Sequence, residues 1–123
     1  MPNVYTTYFG NLRNLPPTIV PVSIALKSPA WYKGLEYKKL APTWEILRDW
    51  KQAYNEVAYV SAYWSQVLEP LNYQEILEEL FALSGGKDVA LVCYERSDDF
   101  CHRQIVGSWF EDFDTRVQEF YKY

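Results

Sequence analysis

The chain has 123 residues and 14.5 kDa, with 49% hydrophobic and 23% charged residues, which fits one folded domain spanning 1–123 and excludes disorder as the main state. Lys and Arg number 12 against 16 Asp and Glu, for a net charge of −4 and a pI near 5.0, so the global basic field of a non-specific nucleic-acid binder is missing. Aromatic residues make up 18%, more than a small domain is expected to bury, which points to an aromatic-lined binding surface.

Val4–Phe9 is β-branched and aromatic and is closed by Gly10-Asn11, so it reads as a strand. Ile19–Leu26 reads as a second strand, weakened at Pro21, which has no N–H for a central ladder. Lys27–Pro42 has no clean period. It sets Lys27, Lys33, Lys38 and Lys39 against Glu36 and adds Trp31, Tyr32 and Tyr37, the make-up of a long functional loop.

From Thr43 the period is helical, through Trp44, Leu47, Trp50, Tyr54 and Val57, then Val60, Tyr63, Trp64, Val67 and Leu71. Asn55 marks a split and Pro70 a stop. Asn72 and Glu75 have the spacing of a capping box for a third helix, with Ile76, Leu77, Leu80 and Phe81 inward and Gly85-Gly86 at its end. Val89–Tyr94 is a continuous apolar run, as in a parallel-sheet strand buried on both faces. A polar loop, Glu95–Phe100, leads to a helix from about Cys101 to Asp112, with Ile105, Val106, Trp109 and Phe110 inward, and Thr115–Tyr121 reads as a last strand. Together these predict an α/β sandwich.

No run reaches the ~18 apolar residues of a membrane span. Met1-Pro2-Asn3-Val4 shows no basic segment leading into an apolar one, so a cytoplasmic protein with no membrane partner is expected. Two cysteines, Cys93 and Cys101, are too few for a disulfide scaffold and are expected as reduced thiols.

The informative stretch runs from Val92 to Arg103, from the end of the buried strand into the first helical turn. At such a junction strand ends and helix amides converge on ligands, and the positive end of the helix favours anions. Four readings compete. In the first, the helix start, His102 and Arg103 bind a phosphate, and Glu95 binds a sugar hydroxyl or base. In the second, Cys101 is a nucleophile or redox thiol, activated by its helix position beside His and Arg. In the third, Cys93, Cys101, His102 and Glu95 hold zinc. The ligand types suit that ion, but neighbouring Cys and His on one turn point different ways and the paired spacings of a structural zinc site are missing. In the fourth, the cysteines are small core residues, Glu95 and Arg103 pair, and His102 is a cap or a core hydrogen-bonder. No metal ligand and no cofactor are assigned.

Cys-Tyr-Glu ending a strand, then Asp-Phe-Cys-His-Arg opening a helix, resembles the signature of the domain of unknown function 488 (DUF488) family. The likeness is strong over Val89 to about Phe110 and weaker through Val4–Gly10 and Val20–Pro42. It implies a single-domain Rossmann-like three-layer sandwich with a small, mainly parallel sheet and a site at the strands' carboxyl ends. It also implies Cys93, Glu95, Cys101, His102 and Arg103 as site positions, and no particular reaction. Ser23-Ile24-Ala25 stands where many members have Asp-Val-Arg, so this chain lacks an acid and an arginine found there.

The leading expectation is a domain that binds a nucleotide-like or other phosphorylated small molecule at Cys101-His102-Arg103. Cys93 and Glu95 join these as ligand-binding candidates. If a reaction occurs, His102 is the acid/base, with Glu95 and Cys101 in support. Trp31, Tyr32 and Lys33 either pack over a sheet edge or close as a lid, with aromatics on a base and lysines on phosphates. The alternative is a non-catalytic sequestering or interaction protein, of viral or mobile-element type, that captures a nucleotide signal or a protein partner. The Trp44–Leu71 aromatic stripe reads as core or as a homodimer contact rather than as a ligand site.

Overall fold

A computed structural model describes residues 2–94, 101–113 and 115–120. Five parallel strands form one sheet: β1 (Val4–Tyr8), β2 (Ile19–Ser23), β3 (Leu35–Glu36), β4 (Asp88–Cys93) and β5 (Val117–Glu119), in the order β3-β2-β4-β1-β5. β4 is central because only its sequence tolerates burial on both faces. Val89 through Val92 are fully buried, paired to β1 on one side (Val4 with Val89) and β2 on the other (Val22 with Leu91). The fold is the expected α/β class.

Four α-helices follow the sequence periods: α1 (Trp44–Ala53), α2 (Glu56–Tyr63), α3 (Tyr73–Leu83) and α4 (His102–Asp112). Asn72 caps α3 as its spacing predicts, and Thr43 and Asn55 cap α1 and α2 in the same way. Thr43 accepts from the Ile46 amide, Asn55 from Ala58, and Asn72 from Gln74 and Glu75, each satisfying helix-end N–H groups that lack an intrahelical partner. Between α1 and α2 the chain reverses through Tyr54 in the left-handed region (φ 50°). A π-helical turn, Trp64–Leu68, extends α2. Gly85 and Gly86, at φ 67° and 84°, end α3 with a backbone that side-chain-bearing residues rarely adopt.

The two faces of the sheet are covered unequally. On one, Val4, Val22, Val89 and Leu91 pack against Tyr63, Ile76, Leu80, Val106 and Phe110, so helices α2, α3 and α4 close the main core. On the other, the layer is thin: a 3-10 helix, Phe9–Asn14, and Tyr32 cover Ala25 and Val92. Pro21 fits within β2 because its carbonyl accepts from the Tyr32 hydroxyl, on the side away from β4. Its missing N–H therefore removes no bond to the central strand, and β3 pairs only with Val22 and Ser23.

Two expectations are corrected here. The Lys27–Pro42 segment is not one irregular loop. It contains β3 and a 3-10 turn, Lys38–Leu40, and buries Tyr37 and Leu40 in the main core. Lys38 donates to the Ala25 carbonyl, and Lys39 and the Tyr37 hydroxyl both bind Glu79. The α1 stripe is core only in part: Ile46 is buried and Leu47 and Trp50 pack half-buried against the main core, whereas Trp44 is 64% and Tyr54 68% exposed.

Candidate ligand cavity

Chain direction places a crevice at the top of the sheet. After β1 the chain crosses over β4 to β2, and after β4 it crosses over β1 to β5, so the connections from neighbouring strands leave in opposite directions. Ligands of open parallel sheets bind at such a switch point, outside the strand carboxyl ends. A cavity of about 840 Å³ opens on the other side of β4 from that switch point, between the ends of β2 and β4, the start of α4, and α1.

Its floor comes from the strand ends, with Ala25 and Leu26 beyond β2, Cys93 and Tyr94 at the end of β4, and Cys101 and His102 at the start of α4. Its far wall is the α1 stripe, Trp44, Leu47, Trp50 and Tyr54, together with Tyr59 of α2. Three cations line it, Lys27, Arg48 and Lys51, and no carboxylate does so among the described residues, although the whole chain is acidic. The Arg48 guanidinium lies 5.3 Å from the Trp44 ring centroid, a cation–π contact that holds both at the rim.

His102 is buried, with a fixed orientation. Its Nε2 is 2.7 Å from the Ile24 carbonyl oxygen, and a carbonyl only accepts, so Nε2 carries the proton. Nδ1 therefore presents a lone pair, 3.6 Å from Cys101 Sγ. Burial first of all holds the imidazole pKa down, to about 4, against the raising effect of the Ile24 bond, so the ring is neutral at neutral pH and Nδ1 serves as a hydrogen-bond acceptor.

Cys93 and Cys101 are joined as a disulfide, in contrast to the reduced pair expected from sequence. The paired spacings of a structural zinc site are missing, but Cys101 and His102 do not diverge. Cys101 precedes the helix in extended conformation, so its side chain is free to turn toward that of His102. The Cys93, Cys101 and His102 ligand atoms all lie within 4.8 Å of one another.

Arg103 is fully buried and does not line the cavity. It sits one residue beyond His102, about 100° around the helix, and faces the other way. Its Nε and Nη2 each donate to Glu119 of β5 at 3.2 Å, and its Nη1 lies 3.1 Å from Cys93 Sγ. The forked cation thus holds an edge strand and the end of β4 in place. Trp31, Tyr32 and Lys33 lie apart from the cavity. Trp31 and Tyr32 pack edge-on against Phe9 over the thin side of the sheet, and Lys33 is exposed. Glu95 and the rest of the 95–100 loop lie outside the described residues.

Sequence reasoning brought Cys93, Cys101 and His102 together and missed Trp44, Trp50, Arg48 and Lys51. A usable signal was present, because Arg48 and Lys51 interrupt the apolar face of α1 at helical spacing, which a core stripe would exclude. No helix among the described residues is long and apolar enough to cross a membrane.

Residues 13–113 match a family model described as DUF488-N3a, the active DUF488-N3 subclade. No curated protein and no solved structure matches the chain.

Proposed function

The chain belongs to the DUF488 family, and from that footing we propose that it binds a nucleotide-like or other phosphorylated small molecule in the cavity between α1 and the carboxyl ends of β2 and β4. One observation carries the reading: the lining combines three cations, no carboxylate among the described residues, and a wall of Trp44, Trp50 and Tyr54. Flat aromatic faces stack on bases of any kind, and Lys and Arg meet phosphate oxygens. The volume of about 840 Å³ lies within the range of small-molecule sites. The positive end of α4, at the cavity floor, adds to the attraction for an anion.

That the matching subclade is described as active supports a reacting site over a purely sequestering one. In that role the neutral His102 accepts a hydrogen bond at Nδ1, and reduced Cys101 beside it is the nearest nucleophile. Arg103 acts behind the site, by holding Cys93 and β5.

Isothermal titration of the full chain with adenosine and guanosine mono-, di- and triphosphates and ribose 5-phosphate tests the reading. Binding by at least one probe, lost in Arg48→Glu with the fold intact, is expected. Absence of binding by all of them, or equal binding by the variant, overturns it.

A further inference from the structure

We propose that Cys93, Cys101 and His102, in the reduced protein, form a three-ligand site for zinc, with its fourth position open to the cavity. The inference does not depend on what else the cavity binds. Two thiolates and one imidazole are a donor set for zinc, and three protein ligands with one vacancy characterise catalytic rather than structural sites.

Three geometric observations support it. A zinc ion bound at about 2.3 Å to sulfur and about 2.0–2.1 Å to nitrogen, with tetrahedral angles, holds those two atoms about 3.6 Å apart. Cys101 Sγ and His102 Nδ1 are separated by 3.6 Å. Second, the nitrogen of His102 that would not ligate donates to a backbone carbonyl, that of Ile24, which is the outer-shell contact that orients metal-bound histidines. Third, the Cα atoms of Cys93 and Cys101 are 7.2 Å apart, wider than the 4.4–6.8 Å usual for a bridged pair, so the backbone frame leaves room for an ion between two thiolates. Arg103 Nη1, close to Cys93 Sγ, supplies a hydrogen bond that tempers thiolate charge. All three ligands line the cavity, which gives the ion a path from solvent.

The disulfide has to open first. Two low-molecular-weight thiols, oxidised together to a disulfide, or one phosphine, oxidised to its oxide with the oxygen of water, supply the two electrons. Two protons complete the cysteine thiols, and these leave as the thiolates take the metal. Metal binding and the disulfide are then mutually exclusive states of one sulfur pair.

The test uses the full chain, reduced with a phosphine under anaerobic conditions and titrated with Zn(II) and with Co(II) as its spectroscopic substitute. One equivalent of metal is expected, with the intense visible bands of tetrahedral cobalt and a sulfur-to-cobalt charge-transfer band. Cys93→Ser, Cys101→Ser and His102→Gln should each weaken zinc binding by about a hundredfold or more. X-ray absorption on the unmutated zinc protein, which needs no variant to fold, should show two sulfurs and at least one nitrogen in the first shell. Failure of the reduced protein to bind, undiminished binding by His102→Gln, or a first shell without two sulfurs would overturn the site.

Discussion

The His102 imidazole donates through Nε2 to the carbonyl oxygen of Ile24 at 2.7 Å, and this one contact decides which nitrogen faces Cys101. Ile24 follows directly on β2, at the place where many family members have the middle residue of Asp-Val-Arg, and its amide bonds the Val92 carbonyl to extend the ladder. A main-chain group at the sheet end therefore sets the protonation pattern of the site's only histidine.

That burial has a consequence for acid stability. The pKa of His102 in the folded protein is about 4, below the 6.5 of an unfolded histidine, mainly through desolvation, with Arg103 as a further lowering charge. Between those values the unfolded chain binds a proton that the folded one does not, so stability is full above about pH 6.5 and falls as pH drops toward 4, by roughly 3 kcal/mol. Urea unfolding of the metal-free protein at pH 7 and pH 4.5 measures this. His102→Gln should flatten the slope across that window, and an equal slope in the variant would assign the loss to other groups.

Arg103→Met should destabilise the protein by about 3–5 kcal/mol, the range for breaking a buried ion pair from one side. The Glu119 carboxylate and the end of β4 would lose their shared partner. Denaturant melts at neutral pH check this. A variant of unchanged stability would return Arg103 to the anion-binding role that its place beside His102 first suggests.

Trp44→Ala and Trp31→Ala should behave differently. If Trp44 stacks on a base, its loss weakens binding of the best nucleotide probe by about 5–150-fold, the equivalent of 1–3 kcal/mol. Trp31 is also exposed, but it packs against Phe9 on the other side of the sheet, so its removal should leave affinity within about twofold. Calorimetry on both variants makes the comparison. The reverse order would move the ligand to the face where the 31–33 segment lies.

Asn72→Ala should cost about 1 kcal/mol with no effect on binding. Asn72 caps α3 by accepting from the Gln74 and Glu75 amides, and it is not among the residues that line the cavity. A thermal melt read beside the same calorimetric titration separates the two effects.

Much of the frame was legible because local chemistry and tertiary position agree. Val89–Cys93 can only be a strand buried on both faces, and Asn55, Asn72 and Gly85-Gly86 mark helix ends by hydrogen bonding and backbone freedom. The site was half legible. The junction from Cys93 to His102 was visible as a strand end meeting a helix start, but the opposite wall was not. An apolar stripe facing a cavity has the same period as one facing a core, and only its interruption by Arg48 and Lys51 sets the α1 stripe apart. The pairing of Arg103 was hidden for a related reason: Glu119 is 16 residues away on an edge strand, and no local spacing announces the contact. In the basic loop Lys38 and Lys39 are exposed, as the sequence suggests, but their partners, the Ala25 carbonyl and Glu79, are 13 and 40 residues away and no local spacing announces them.

The most direct test of the proposed cavity uses the five tryptophans as reporters. Each indole N–H gives its own resonance in a proton–nitrogen correlation spectrum, assignable with single Trp→Phe variants. Titration with adenosine and guanosine diphosphates should move the Trp44 and Trp50 signals, which line the cavity, and leave those of Trp31 and the buried Trp109 in place. Fixed Trp44 and Trp50 signals in a folded protein saturated with either probe, or shifts confined to Trp31, would contradict the account.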